Sequence, residues 1–249
     1  MTGLTNLQAG IRRQTTRAVA AIVLLTIVAT ADFAGVASGI FQAIILHRIA
    51  GGAHVSEATI VLNDLVYAGI GIVQSLAILM TAIVFLMWLH RAYANLGEVG
   101  TRVTRFTPGW AVGFWFIPIL NVFRPYQVVS ETWRRSEWLN APGISTVKSP
   151  AVVGWWWLSF LVSGTLGRIF ARRIGAAEFI DEVIGATWLG VLADTASCIA
   201  ALLAIAVVSG IDRHQQRMGR LADRVPSTES DDFPAELPDA PVESVPELT

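Results

Sequence analysis

The segment FTPGWAVGFWFIPILNVFRPYQVV, residues 106–129, decides the fold, because its path relative to a membrane sets the topology of everything downstream. It carries no charge over residues 108–123, yet it contains Pro118 and Asn121 and is followed by Arg124. A helix of about 16 residues reaches only about 24 Å. That length is shorter than a hydrocarbon core of about 30 Å. The segment therefore either crosses as a short kinked helix or dips into the membrane and returns.

The composition indicates a membrane protein. The chain has 249 residues, of which 53% are hydrophobic and 15% are charged, and its mean hydropathy is +0.55. Soluble domains carry roughly 25% charged residues, so the deficit favours a bilayer environment. The single cysteine, Cys198, excludes an internal disulfide framework.

Four segments have the length and apolar character of membrane helices, which need about 20 residues. They are residues 18–46, 66–89, 151–168 and 185–211. The first could be a cleaved signal peptide, because arginines precede a short apolar run. Its apolar character resumes after Asp32, however, so we interpret it as a retained anchor.

Positively charged residues near the spans predict the orientation, because they stay in the cytoplasm. If residues 107–123 do not cross, 14 Lys and Arg residues lie on the inner side and four on the outer side. If residues 107–123 do cross, the count becomes nine on each side. The strong bias of the first arrangement predicts a re-entrant segment at 107–123, with both termini in the cytoplasm.

Inside this re-entrant segment, proline and asparagine have predicted roles. Pro108 suits the first turn of a helix, where its missing N–H costs little. Pro118 should end or bend the helix and push Ile117 toward extended geometry. Asn121 should cap the freed backbone groups through its side chain.

The next segment, residues 124–139, is predicted to be an amphipathic cytoplasmic helix. Tyr126, Val129 and Trp133 fall on one face, whereas Glu131 falls on the opposite face beside two arginines. Such a helix suits the membrane interface, but packing under the bundle explains the same pattern. The sequence leaves both interpretations open.

Two further cytoplasmic segments follow the last span. In residues 212–224, Arg213, Arg217, Arg220 and Arg224 share one helical face. That face could sit on anionic lipid headgroups, at about 1 kcal/mol per arginine, or simply be the positive flank of a span. Residues 225–249 carry prolines and acids without any Lys or Arg. This tail is predicted to be disordered.

The chain shows none of the common catalytic motifs: it has no phosphate-binding loop, no nucleophile elbow and no HExxH zinc motif. Its four histidines are scattered, so no metal cluster is predicted. We therefore predict no catalytic residues, no metal, no cofactor and no nucleic-acid partner, and we expect a protein that is not an enzyme.

Two carboxylates, Asp32 and Asp194, lie inside predicted spans. An ionised aspartate at mid-helix costs about 2.5–3.5 kcal/mol, so such residues usually face partners inside the bundle. The depths of the two aspartates allow them to meet. Gly35 and Gly39 beside Asp32 form a GxxxG pattern, which permits close helix packing. The pair could be a proton or cation site, or a hydrogen-bonded contact that fixes two helices.

Residues 88–135 also contain an ordered series of short motifs. The series begins with WLHRAYANL at 88–96 and continues with the block PGWAV…W-F-x-P-x-x-N-x-x-R-P-Y-Q and a helix with W-R. This series resembles the bacterial membrane family called domain of unknown function 4328. The matching residues are Trp88, Arg91, Asn95, Pro108, Gly109, Trp110, Trp115, Pro118, Asn121, Arg124, Pro125, Tyr126 and Trp133. The resemblance implies a multi-pass membrane protein and implies no activity.

Together these observations predict an all-α polytopic bundle in a bacterial inner membrane. It has four transmembrane helices, a re-entrant segment and an amphipathic cytoplasmic helix. The first functional hypothesis is non-catalytic binding or scaffolding through the cytoplasmic face, with the lipid bilayer, anionic lipids and an unidentified protein as partners. The alternative is a channel or carrier for a small solute or proton that uses Asp32 and Asp194.

Overall fold

The structure is a computed structural model that describes residues 2–98, 104–138 and 150–222, and these ranges contain helices and short connections but no strand. The all-α prediction is confirmed for them. The helices are α1 (Thr2–Ala50), α2 (Glu57–Glu98), α3 (Pro108–Gly113), α4 (Arg124–Trp138), α5 (Ala151–Ala176) and α6 (Ile180–Ala222), with 3₁₀ turns at Phe114–Phe116 and Leu120–Val122.

Three helices are long and apolar enough to cross a membrane: Ile11–Ala50, Glu57–Gly97 and Ile180–Arg220. They contain the first, second and fourth predicted spans. Helix α5 contains the third predicted span and is not among these three. Its apolar stretch is short, because three tryptophans stand near its beginning and arginines begin at Arg168.

The long helices extend well beyond the predicted spans. Helix α1 has 49 residues, which corresponds to about 74 Å of helix, more than twice the thickness of a hydrocarbon core. The predicted cytoplasmic segment 1–17 is therefore continuous with α1 from residue 2, and the predicted basic segment 212–224 continues α6 as far as Ala222. Arg224 and the predicted tail at 225–249 lie outside the described residues.

The four long helices pack in the order α2, α1, α6, α5, since α1 packs along both α2 and α6, and α6 packs along α5. The middle of the bundle is a buried apolar seam. Leu25 and Val28 of α1 belong to the same buried cluster as Ala204 and Val208 of α6. Alanines along both helices allow this close approach.

The GxxxG pattern of α1 is used within the chain. Gly35 lies against the side chains of Asp194 and Gln74, and a Cβ at Gly39 would stand 2.7 Å from Cγ2 of Val191. The predicted close packing is therefore confirmed, and its partner is α6.

Residues 104–138, which we call the platform, fold around the short helices α3 and α4. Pro108 begins α3, and the side chain of Thr107 caps it by accepting a hydrogen bond from the Trp110 N–H at 3.4 Å. Ile117 is extended, with φ −101° and ψ 111°, as predicted for a residue before proline. The buried Oδ1 of Asn121 accepts no hydrogen bond in the described part of the chain, so this oxygen does not cap the freed backbone N–H groups.

Helix α4 shows the largest departure from the predicted pattern. Its buried side chains are Pro125, Val128, Val129, Ser130, Glu131, Thr132 and Ser136. Tyr126 is 36% exposed whereas Val129 is fully buried, so the two side chains differ in burial although they fall on one helical face. Glu131, which the pattern places on the polar face beside two arginines, does pair with Arg135, but it is buried rather than exposed. Polar partners on neighbouring elements turn Glu131 inward, and the burial favours a helix packed against the bundle.

We expect Gly39→Ala to destabilise the protein, because the new methyl group would press on Val191 in a packed seam. Overpacking of this kind costs about 1–3 kcal/mol. Thermal unfolding in detergent should show a lower midpoint. The matched control is Gly69→Ala on α2, where nothing lies within 4 Å of an added Cβ. Equal midpoints for the two variants would contradict the close α1–α6 contact.

Candidate functional site: the platform and its seat on the bundle

The first contact between platform and bundle is a clamp around Glu131. The hydroxyl of Tyr93 on α2 donates to Glu131 Oε2 at 2.8 Å, and the backbone N–H of Arg105 donates to Oε1 at 2.9 Å. Arg135 pairs with the same Oε1 at 2.8 Å. Tyr93 also accepts a hydrogen bond from the Phe106 N–H at 3.0 Å. The clamp therefore fixes the entry of the platform to both α2 and α4.

The second contact is a buried polar core that joins four helices. Asn95 Nδ2 of α2 donates to Gln14 Oε1 of α1 at 3.0 Å and to Gln215 Oε1 of α6 at 2.9 Å. Gln215 Nε2 in turn donates to the Ser136 hydroxyl of α4 at 3.1 Å and to the Ala92 carbonyl at 2.8 Å. All four polar side chains are fully buried. This contact is therefore made by uncharged polar groups.

Asp212 on α6 extends this polar core. Its Oδ1 accepts hydrogen bonds from Gln14 Nε2 at 3.2 Å and from the Thr15 hydroxyl at 3.1 Å. Its Oδ2 accepts one from Gln216 Nε2 at 2.7 Å. Three neutral donors surround the carboxylate, so α1 and α6 are also joined here through a charge-assisted contact.

The third contact is an aromatic cluster that joins α2, the platform and α5. The ring of Phe85 lies 5.7 Å from Trp115 and 5.9 Å from Trp156, and Trp115 lies edge-on to Trp157 at 5.7 Å. The indole N–H of Trp157 donates to the Val122 carbonyl at 3.0 Å. That bond satisfies a carbonyl in the irregular turn after Pro118, the task predicted for Asn121.

The residues that carry the family resemblance converge on this region. Trp88 is fully buried beside Phe85, and Asn95 is the centre of the polar core. Trp133 packs edge-on against His214 and covers Gly210, where a Cβ would collide with its ring. Most of the remaining matching residues build the platform itself. They are Pro108, Gly109, Trp110, Trp115, Pro118, Asn121, Arg124, Pro125 and Tyr126.

The two intramembrane aspartates also meet, through a residue that the sequence did not single out. Gln74 Nε2 of α2 donates to Asp32 Oδ1 at 3.0 Å and to Asp194 Oδ1 at 3.1 Å. Asp32 is fully buried, and its Oδ2 has no hydrogen-bond partner within the described ranges. One amide therefore joins α1, α2 and α6 at this level, far from the platform.

The arginine face predicted for residues 212–224, which we call the arginine stripe of α6, lies on the protein surface where the structure describes it. Arg213, Arg217 and Arg220 are exposed on α6, and Arg224 lies beyond the described residues. In the part of the chain that the structure describes, no three His, Cys, Asp or Glu side chains form a group that could hold a metal ion. The described stripe is thus an exposed cationic face.

Sequence reasoning missed Tyr93, Glu131, Gln14, Gln215 and Asp212 as partners. The available signal was weak, because a glutamine or tyrosine near the end of a span is common at a membrane surface. The role of Asn95 and Gln215 could not be predicted, because the two side chains bond to each other although they lie 120 residues apart in sequence.

The fold defines a helical membrane protein, because three of its helices are long and apolar enough to cross a bilayer. The family model of the Domain of unknown function (DUF4328) matches residues 52–213, well over half of the chain, so the chain belongs to this family. The match includes the platform and most of its seat. No curated protein and no solved structure matches the chain.

We expect Tyr93→Phe to loosen the platform without unfolding the bundle. Loss of the hydroxyl leaves Glu131 Oε2 and the Phe106 N–H without a partner, and an unsatisfied buried polar group costs about 1–3 kcal/mol. Hydrogen exchange should become faster over residues 104–123. Tyr126→Phe is the matched control, because Tyr126 lies on the surface. If both variants exchange like the wild type, the clamp does not hold the platform.

Proposed function

We propose that this chain is a bacterial inner-membrane protein with four membrane helices, α1, α2, α5 and α6. Connectivity supports the fourth crossing. Asn95 and Gln215 bond to each other, so the C-terminal ends of α2 and α6 lie at the same end of the bundle. The chain must therefore return to the far end before α6 begins. Helix α5 begins at Ala151 and contacts the platform through Trp157 in its second turn. Its 26 residues reach about 39 Å, which is long enough for this crossing.

The proposal includes a re-entrant segment at 107–123. Its two ends are held at the same end of the bundle, the entry by Tyr93 and the exit by Trp157. Between them, Phe116 is 73% exposed and Ile119 is 78% exposed. Large apolar side chains at a turn suit lipid rather than water, and the bond from Trp157 satisfies a backbone group that lipid could not.

The positive charge supports cytoplasmic termini. With α5 crossing and residues 107–123 returning, 14 of the 18 Lys and Arg residues lie on the platform side. Positive residues flanking spans are retained in the cytoplasm, so the platform is assigned to the cytoplasmic face.

The function that we propose is non-catalytic binding or scaffolding of a protein partner by this face. A single observation carries it: most of the residues that the family pattern singles out build and seat the platform. Among them, the side chains of Asn95 and Arg124 form hydrogen bonds and the four tryptophans form ring contacts. The outer surface of α4 then presents Arg134 and Trp138, both exposed, in a defined orientation.

The alternative is a channel or carrier that uses Asp32 and Asp194. One observation favours it, namely the unpartnered Oδ2 of the fully buried Asp32. The apolar seam between this pair and the platform opposes it, since Leu25 and Val28 pack there against α6. A conducting path would need polar groups or water along that stretch, so we place this function second.

The topology can be tested with single cysteines in a Cys198→Ser background. Arg134→Cys on the platform should react with an impermeant thiol reagent only from the cytoplasmic side. Glu178→Cys, between α5 and α6, and His54→Cys, between α1 and α2, should react only from outside. All three positions are exposed. Labelling of Glu178→Cys from the cytoplasm would remove the fourth crossing, and labelling of Arg134→Cys from outside would make residues 107–123 a span.

The binding function can be tested with a photo-cross-linking amino acid at position 134, with position 178 as the matched control. We expect a discrete protein adduct from position 134 in intact cells, and none from position 178. The adduct should become weaker in the Tyr93→Phe background, because one of the three contacts that hold the platform against the bundle is then lost. Proton flux through proteoliposomes that Asp32→Asn abolishes, together with no adduct at position 134, would favour the alternative.

A further inference from the structure

A groove of about 550 Å³ opens on the platform beside the clamp. Arg105, Phe106, Thr107, Trp110, Phe114 and Leu120 are among the residues that line it. Its walls are therefore mostly aromatic and aliphatic, while a guanidinium and a hydroxyl stand in the same lining. A groove with an apolar wall and a cationic edge matches an amphipathic anion better than a purely polar or purely apolar ligand.

Two arginines share the aromatic wall of the groove. The guanidinium carbon of Arg105 lies 5.6 Å from the centre of the Phe106 ring, and that of Arg124 lies 5.5 Å from the same ring and 5.8 Å from Phe114. Arg105 belongs to the lining itself, and Arg124 contacts two rings of the lining through cation–π contacts.

The carboxylate nearest in the fold does not neutralise these cations. Glu131 is already used by the Tyr93 hydroxyl, the Arg105 backbone N–H and the Arg135 side chain. Arg124 donates to the neutral amide of Gln127 at 3.0 Å. In the described ranges, neither guanidinium forms an ion pair, so the positive charge at the groove is available for an anion.

The surface around the groove is apolar. Trp110 stacks on Phe114 at 5.3 Å with half of its surface exposed, and the turn that follows exposes Phe116 and Ile119. A soluble anion would gain nothing from these rings. An acyl chain that leaves a phosphate held by arginine would lie along them.

We propose that this groove binds an anionic phospholipid of the cytoplasmic leaflet, with the phosphate at Arg105 and Arg124 and the acyl chain along Trp110 and Phe114. This site is separate from the arginine stripe of α6 and goes beyond the scaffolding function. Its position in the cytoplasmic leaflet rests on the proposed topology.

The test uses the full chain in nanodiscs of equal parts phosphatidylcholine and phosphatidylglycerol, with bromine on the acyl chains of one lipid at a time. The signal of Trp110 is the difference in fluorescence between wild type and Trp110→Phe. We expect bromine on phosphatidylglycerol to quench this signal more than bromine on phosphatidylcholine.

Each arginine variant is measured against its own Trp110→Phe double variant. Arg105→Gln should weaken the preference for phosphatidylglycerol about fivefold, the size expected for one arginine near an anionic surface. Arg105→Lys should retain most of it. Arg172→Gln, an exposed arginine on α5 away from the groove, should leave it unchanged.

Equal quenching by the two brominated lipids in the wild type would overturn the proposal, and so would an unchanged preference in Arg105→Gln. Loss of the preference on adding soluble glycerol 3-phosphate would also overturn it, because the groove would then recognise a free phosphate. A wrong topology can be distinguished from a wrong lipid site. In that case Arg134→Cys would be labelled from outside, while the preference for phosphatidylglycerol would persist.

Discussion

The amide of Asn95 is the contact on which the arrangement of the helices depends most directly. Its two N–H groups donate to Gln14 of α1 and Gln215 of α6, so one side chain joins three long helices. Gln215 in turn donates a hydrogen bond to the Ser136 hydroxyl of α4. Because a buried amide without a partner is costly, these helices have one strongly preferred register, and the platform has one preferred position beneath them.

The chain contains a second polar contact of the same design, deeper in the bundle. There Gln74 joins Asp32 and Asp194, again through one NH₂ group and again across α1, α2 and α6. The two contacts stand at opposite ends of the apolar seam and fix the same three helices at two levels. They differ in charge, since the first consists of neutral amides and the second brings two carboxylates together.

In the proposed topology, the platform follows from the constraint that backbone groups at membrane depth need partners. Pro118 prevents a continuous helix, and the chain continues as short turns with exposed apolar side chains. Tyr93 satisfies the backbone at the entry of this segment, whereas Trp157 satisfies it at the exit. Glu131 and the aromatic cluster then hold the segment against the bundle. The result is a rigid, partly apolar surface with two arginines at its edge, which is the physical basis for the proposed partner and lipid binding.

The sequence by itself determined the class of protein, the three long apolar helices, the interruption at Ile117 and Pro118, and the close packing at Gly35 and Gly39. Each of these follows from hydropathy or from backbone geometry, which depend on neighbouring residues alone. Tertiary structure decided which partners satisfy the buried polar groups. The sequence pattern placed Glu131 on the polar face of an amphipathic helix, whereas in the structure the Tyr93 hydroxyl and the Arg105 backbone N–H bind it in the interior. The indole of Trp157 satisfies the Val122 carbonyl in the turn after Pro118, and the sequence did not single it out for this role. Tyr93 and Glu131 are separated by 38 positions in the sequence, and Val122 and Trp157 by 35. No local sequence pattern predicts such contacts, because the hydrogen-bond partners of a buried group depend on how the whole chain packs.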